Sequence, residues 1–193
     1  MTQRTPEWFE ARLGRVTASR IVDVLGTEAK RRQYAAQLAL ERLYGVPQGT
    51  AYMSAAMAAG IEREEQVRRV YAFQRGIKVE EADFVPHPSI AMAGASPDGY
   101  VGTDGLIEIK CPDPANYLDA LRGEKPDKKY MLQVQFQLAC TRRKWADLVT
   151  YREGCPLVTK RIERDENQIA AIESEILQLL KEVDRTVAEI NGH

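Results

Sequence analysis

Histidine is nearly missing from this chain: only His87 and the terminal His193 occur. A Ser-His-Asp triad, a histidine dyad and a histidine-rich metal site therefore lack their parts. Acid-base or metal chemistry must rest on carboxylates, lysine and oxygen ligands. The three cysteines, Cys111, Cys140 and Cys155, are scattered with no CxxC among them. That spacing supports neither a zinc knuckle nor a disulfide framework, and reads as reduced, buried, small apolar residues. No apolar run approaches a membrane span, and the start MTQRTPEWFEARLGR lacks the apolar core of a signal peptide. A cytoplasmic location and no membrane partner are the expectations. A strong excess of one charge is also absent, since the formal net charge is −1. That excludes a surface basic all over, but a local basic lining remains open because affinity for phosphate comes from nearby charges. Arg4, Arg12, Arg15 and Arg20 outnumber Glu7 and Glu10 in the first stretch of the chain.

The rest is ordinary globular composition, 44% hydrophobic and 28% charged over 193 residues, and no repeat or composition break divides it. One domain spanning 1–193 is expected. Pro6 and Gly14 bracket a first helix, PEWFEARLG. VTASRIVDVLG reads as a second, with Thr17 or Ser19 as its cap and Gly26 at its end. Apolar periodicity predicts helices over 28–44 and 54–75, the latter with Gly60 as a weak point. From about residue 77 the period changes to short strands punctuated by Pro and Gly. Helices over 114–122 and 129–141, strands in WADLVTYRE and LVTKRIER, and a long helix over 166–190 complete the pattern. This order predicts an α/β or α+β layered domain with a mixed sheet flanked by helices.

The chemistry concentrates in SPDGYVGTDGLIEIKCP, residues 96–112. Gly102-Thr103-Asp104-Gly105 is a turn between two strands. Strand alternation puts Ile107 and Ile109 on one face, Glu108 and Lys110 on the other. A hairpin brings Asp98 level with Glu108. Paired carboxylates on adjacent strands are hard oxygen ligands suited to Mg²⁺ or Mn²⁺, and a lysine beside them can orient water or meet charge on a phosphate. A solvated hairpin face is the competing reading of the bare pattern. Asp104 is assigned to the turn and Asp113 to a helix cap.

SPDG…IEIKCP resembles the PD-(D/E)XK nuclease signature, and more narrowly that of the lambda exonuclease family, the YqaJ-type viral recombinases. The resemblance covers most of the chain: WFEARLGRVTAS resembles the family's W-x3-R-x-G-x-x-T-A-S block, Gly60-Ile61-Glu62-Arg63-Glu64 its G-x3-E, and Tyr130-Met131-Leu132-Gln133-Val134-Gln135 its Y-x-x-Q-x-Q helix. It implies a restriction-endonuclease-like core. By resemblance Asp98, Glu108 and the backbone carbonyl of Ile109 would ligate metal, with Glu64 beside them. Lys110 would be the catalytic lysine, and Gln133 would complete the cluster. Arg12 and Ser19 match residues that hold a terminal 5′-phosphate, and Ser96 is a further contributor. Met53 and Met57 are candidates for wedging a duplex end apart, against a default core role.

The implied activity is Mg²⁺-dependent 5′-to-3′ degradation of one strand of double-stranded DNA. Two ions are expected, with mononucleotides released and a 3′ overhang left. A ring-shaped homotrimer and a single-strand annealing protein as partner are further implications of the resemblance. A restriction or repair endonuclease on the same core, or a non-catalytic DNA-end-binding recombination protein, are the rivals. An iron–sulfur nuclease is disfavoured for want of a four-cysteine set.

Overall fold

The computed structural model describes residues 5–48 and 55–192, with the side chains of 55–62 outside the description. Met53 and the side chain of Met57, the candidate wedge, therefore lie outside the described residues.

Helix α1, Pro6–Arg12, starts where Thr5 accepts a hydrogen bond from the Trp8 amide. Gly14 follows in the left-handed region at φ 66°, turning the chain sharply. The next stretch departs from the single helix expected over 16–26. Val16–Thr17 form strand β1, Ala18–Arg20 a 3₁₀ turn, and only Ile21–Val24 make helix α2. Neither Thr17 nor Ser19 acts as the side-chain cap of a long helix there; Thr17 makes no capping bond. The reason is tertiary. Val16 and Thr17 pair in parallel with Ala93 and Gly94 of strand β4 (Ala93–Ala95), a partner remote in sequence.

Helix α3, Glu28–Tyr44, is capped by Thr27 and ended by Gly45 at φ 67°. Helix α4 runs Ala55–Arg75 without a break at Gly60. Short strands follow: β2 Val79–Glu80, β3 Val85–Pro86, then β4, β5 Gly99–Val101 and β6 Gly105–Lys110. Helix α5, Pro114–Leu121, is capped by Asp113 as expected, and α6, Lys128–Thr141, by Asp127. Strands β7 Trp145–Thr150 and β8 Val158–Glu163 precede helix α7, Glu166–Asn191.

The described residues form two sheets, β1-β4-β3 and β2-β5-β6-β7-β8. In the larger sheet only β6 and β7 run parallel, joined by the crossover through α5 and α6. Ile107, Ile109 and Val149 bury one face against Val67 and Tyr71 of α4. Leu106, Ala146, Leu148 and Ile162 bury the other against Val134 and Leu138 of α6. The period-2 alternation of β6 thus divides its side chains between two helices, and it aims Glu108 and Lys110 toward α6. A third cluster joins α2, α3, α6, α7 and β4 through residues such as Tyr34, Phe136 and Ile172. Cys140 is buried as expected; Cys111 is exposed and Cys155 half-buried, so only one of the three is a core residue. Among the described residues no helix is long and apolar enough to cross a membrane.

Candidate active site

The site is built on the β5–β6 hairpin. Asp104 takes the turn role expected of it, its carboxylate meeting Lys144 Nζ at 2.9 Å and its carbonyl accepting from the Lys144 amide. The register pairs Gly99 with Ile107 and Tyr100 with Leu106, so Asp98, one residue before β5, stands opposite Glu108. Its amide donates to Ile107 O at 3.1 Å, and its Oδ2 accepts from the Ile109 amide at 2.6 Å. Ile109 shares the parity of Ile107, so its carbonyl also faces the β5 edge, where β5 has already ended.

Glu108 is 3% exposed, and its carboxylate is held by three donors. Oε1 accepts from Lys110 Nζ and Gln133 Nε2, both at 2.6 Å, and Oε2 from Gln137 Nε2 at 2.6 Å. Gln133 Oε1 in turn accepts from Lys110 Nζ at 3.0 Å. Burial alone would lower the pKa of Lys110, but the Glu108 carboxylate and then Asp98 outweigh it and raise the value, so the ammonium is retained. The ring of Tyr130 lies 5.1 Å from that ammonium. Asp98 behaves oppositely: loss of water contact, then the charges of Glu108 and Glu64, push its carboxyl well above the usual range despite the Ile109 N–H bond. Glu64, one turn before Val67 on α4, thus reaches the hairpin from the other side of the sheet.

A second group lies off the start of β5. Ser96 Oγ accepts from Trp8 Nε1 at 3.0 Å and from Arg12 Nη1 at 3.1 Å. The Arg12 guanidinium stacks 4.1 Å from the Trp8 ring, because positions 8 and 12 share one helix face. Arg12 and Ser19 line one cavity of about 210 Å³ with Arg15, Thr17 and Arg20. Ser96 is two residues from Asp98, so this basic cavity adjoins the carboxylates. A cavity of about 480 Å³ between the α5–α6 loop and β7–β8 reaches Tyr130 but contains neither carboxylate. The acidic centre lies at the ends of the interior strands β5 and β6 and lines neither cavity.

The structure therefore gathers Asp98, Glu108, Lys110, Gln133 and Glu64 at one place, and Arg12, Ser19 and Ser96 beside it. Gln137 and Tyr130 were missed from sequence. The signal for Gln137 was its spacing four residues beyond Gln133, which puts both on one helix face. Gln135, between them in sequence, points away from the site, to Glu163 O and the Asp165 amide.

Among the described residues no group of three or more His, Cys, Asp or Glu side chains is close enough to hold a metal ion. The donor set, two facing carboxylates and the Ile109 carbonyl, fits a hard divalent cation in its chemistry. Gln137 Oε1 is buried beside them with no partner among the described residues, a further oxygen acceptor.

An Asp–Glu-x-Lys hairpin on a mixed sheet between helices defines a restriction-endonuclease-like nuclease core. The model of the YqaJ-like viral recombinase domain matches residues 7–144, and the chain belongs to that family. It is similar to an alkaline exonuclease, LHK-Exo, from Laribacter hongkongensis, at 42% identity over 97% of this chain and 96% of that one, with TM-score 0.89. The same exonuclease in complex with dAMP matches at 43% identity, 96% of each chain and TM-score 0.89. A phage-related exonuclease from Haemophilus somnus shares the fold at 18% identity, TM-score 0.69, over 91% of this chain and 96% of that one. No curated protein sequence matches. The chain is thus a nuclease of the recombination exonuclease type.

Proposed function

We propose that this protein is a Mg²⁺-dependent exodeoxyribonuclease that degrades one strand of duplex DNA from its 5′ end, releasing mononucleotides and leaving a 3′ overhang. The observation that carries this reading is the basic Arg12–Ser19–Ser96 group lying directly beside the Asp98–Glu108 pair. An arginine fork, a hydroxyl and backbone amides suit a terminal phosphate dianion. A 5′-phosphate seated there leaves the adjoining linkage at the carboxylates, which sets both the polarity and the step of one nucleotide. The dAMP bound by the Laribacter enzyme is a nucleoside monophosphate of the kind such a step releases.

Asp98, Glu108 and the Ile109 carbonyl would hold Mg²⁺, or Mn²⁺ in its place, with Glu64 serving a second ion. When bound, the cations supply an acidified water and neutralise charge at the scissile phosphate. The chain's own side chains do the rest. Gln133 and Gln137 fix Glu108 in one orientation, so its oxygens are preorganised. Lys110, kept protonated by Glu108, offers its third N–H bond to a water or to a phosphate oxygen. Trp8 holds the Arg12 guanidinium flat and aimed by stacking.

Assembly as a homotrimeric ring reconciles DNA binding with a net charge of −1, since only the channel need be basic. Phe73, 89% exposed on α4, is an apolar side chain available to a subunit contact. A 3′ overhang is what a single-strand annealing protein would take up, and co-elution with such a protein in gel filtration tests that partnership.

The experiment is digestion of 5′-phosphorylated linear duplex against the same sequence as a covalently closed circle, with Mg²⁺ or with chelator. The expected outcome is mononucleotides from the linear form only, in Mg²⁺ only. Cleavage of the circle would favour an endonuclease; no cleavage of either would favour a non-catalytic end-binding protein.

A further inference from the structure

A second basic cleft lies on the opposite flank of the carboxylates, and the reading above gives it no role. It has a volume of about 220 Å³ and is lined by Arg63, Cys111, Pro112, Tyr151, Arg152 and Glu153. Its place follows from strand order. Three neighbouring strands, β5, β6 and β7, present adjoining ends at one end of the sheet. Off the start of β5 sit Ser96 and the Arg12 group. At the end of β6 sit Glu108 and Lys110. Beyond β7, whose Thr150 is level with Lys110, the chain continues into Tyr151 and Arg152. Arg152 Nη1 lies 3.5 Å from Pro112 O, which keeps it over the end of β6. Arg63 comes from α4, one residue before Glu64. The charges of Arg63, Glu64, Asp98 and Lys110 all act on Cys111, which places Arg63 within the same small neighbourhood.

Arg20, Arg31, Arg42, Arg68, Arg161 and Arg164 each have a carboxylate partner. Among the described residues neither Arg63 nor Arg152 has an ion pair, although Glu153 lines the same cleft. What sets the two arginines apart is their shared cleft, since Arg15, Arg32, Arg75, Arg142, Arg143 and Arg185 also lack an ion pair among the described residues. Two guanidinium groups converging on one cleft beside a nuclease centre can hold a phosphate between them.

We infer that Arg63 and Arg152 bind the DNA phosphate immediately 3′ of the scissile linkage on the strand being degraded. The inference rests on the exonuclease reading. Terminal phosphate, scissile phosphate and next phosphate then fall in order across β5, β6 and β7, and the strand is held on both sides of the bond that breaks. Arg63 and Arg152 are positioning residues: they touch substrate away from the reacting atoms and fix how the scissile linkage presents itself.

The test uses 5′-phosphorylated duplexes of two kinds, one all-phosphate and one with a neutral methylphosphonate at the linkage just 3′ of the first scissile bond. Release of the first nucleotide is followed in Mg²⁺ for the full chain and for the R63A/R152A variant, whose melting temperature is checked against the parent. The neutral linkage should slow the parent by about tenfold to a hundredfold, as loss of charge-assisted hydrogen bonds does. The variant should be slowed to a similar degree on the all-phosphate duplex, and the neutral linkage should slow it no further. Equal slowing of parent and variant by the neutral linkage overturns the inference, as does a parent indifferent to it; in both cases the exonuclease reading stands. Failure of the parent to cut the all-phosphate duplex overturns the exonuclease reading, and the inference with it.

Discussion

Asp98 carries the tension in this site. It faces Glu108 across the hairpin and feels Glu64 from α4, and the Ile109 amide and the Lys110 ammonium relieve it in part. A group whose charged form is disfavoured in the folded chain costs stability at neutral pH, and the cost falls as pH drops and the carboxyl takes up its proton. Asp98→Asn keeps an oxygen for the Ile109 N–H bond and removes the repulsion. The metal-free variant should therefore melt higher than the parent, by about 2–4 °C for each kcal/mol relieved. Mg²⁺ should raise the melting temperature of the parent and leave that of the variant unchanged. An equal metal-induced rise in both, read by scanning calorimetry, would remove Asp98 from the ligand set. At this scale the sequence was most legible. The alternation of Ile107, Glu108, Ile109 and Lys110 separates apolar from polar side chains by strand geometry alone, and the turn at Gly102–Gly105 puts Asp98 opposite Glu108. Gln137 was less legible because its meaning depends on which face of α6 meets the sheet, a fact of packing.

Elements were legible where their pattern is local. Helices α3, α6 and α7 have caps and apolar stripes long enough to name them. Strand β1 did not, because two residues paired with a strand more than seventy positions away leave no periodic trace. The β3–β4 turn shows another non-local device. His87 Nδ1 accepts from the Ile90 amide at 3.1 Å and, more weakly, from that of Ser89, so Nε2 carries the proton and donates to Glu173 of α7 at 3.0 Å. The ring stacks on Phe136, 5.4 Å between centroids. Burial lowers the pKa of His87, partly opposed by the Glu173 charge and aided by Arg142 and Arg164. Between its ordinary value near 6.5 and the depressed folded value, the unfolded chain binds a proton that the folded chain refuses. Stability from this group is full above that ordinary value and is lost as pH falls through the window. Unfolding by denaturant across pH 5–7.5 should show the parent losing stability toward acid faster than His87→Gln. Parallel pH profiles would show that the imidazole is not held neutral.

For the whole molecule, the layered order of helices, sheet and helices follows from the change of hydrophobic period along the chain, whereas the division into two sheets does not, since strands of two or three residues sort only by contact. The assembly is a matter of surfaces rather than of periodicity. A trimer should appear in light scattering as three chains per particle, dependent on the face that bears Phe73; a monomer at the concentrations of the nuclease assay would contradict the ring. The central claim is that the basic cavity of α1 selects the end of the strand for the carboxylates beside it. Its most direct test compares degradation of two linear duplexes identical except for a 5′-phosphate or a 5′-hydroxyl, in Mg²⁺, for the parent and for Arg12→Ala. The parent should prefer the phosphorylated end by about tenfold or more, the order expected of charge-assisted bonds to a phosphate, and Arg12→Ala should lose that preference while its metal-induced rise in melting temperature persists. Equal slowing of Arg12→Ala on both ends, with the metal response gone, would contradict the account.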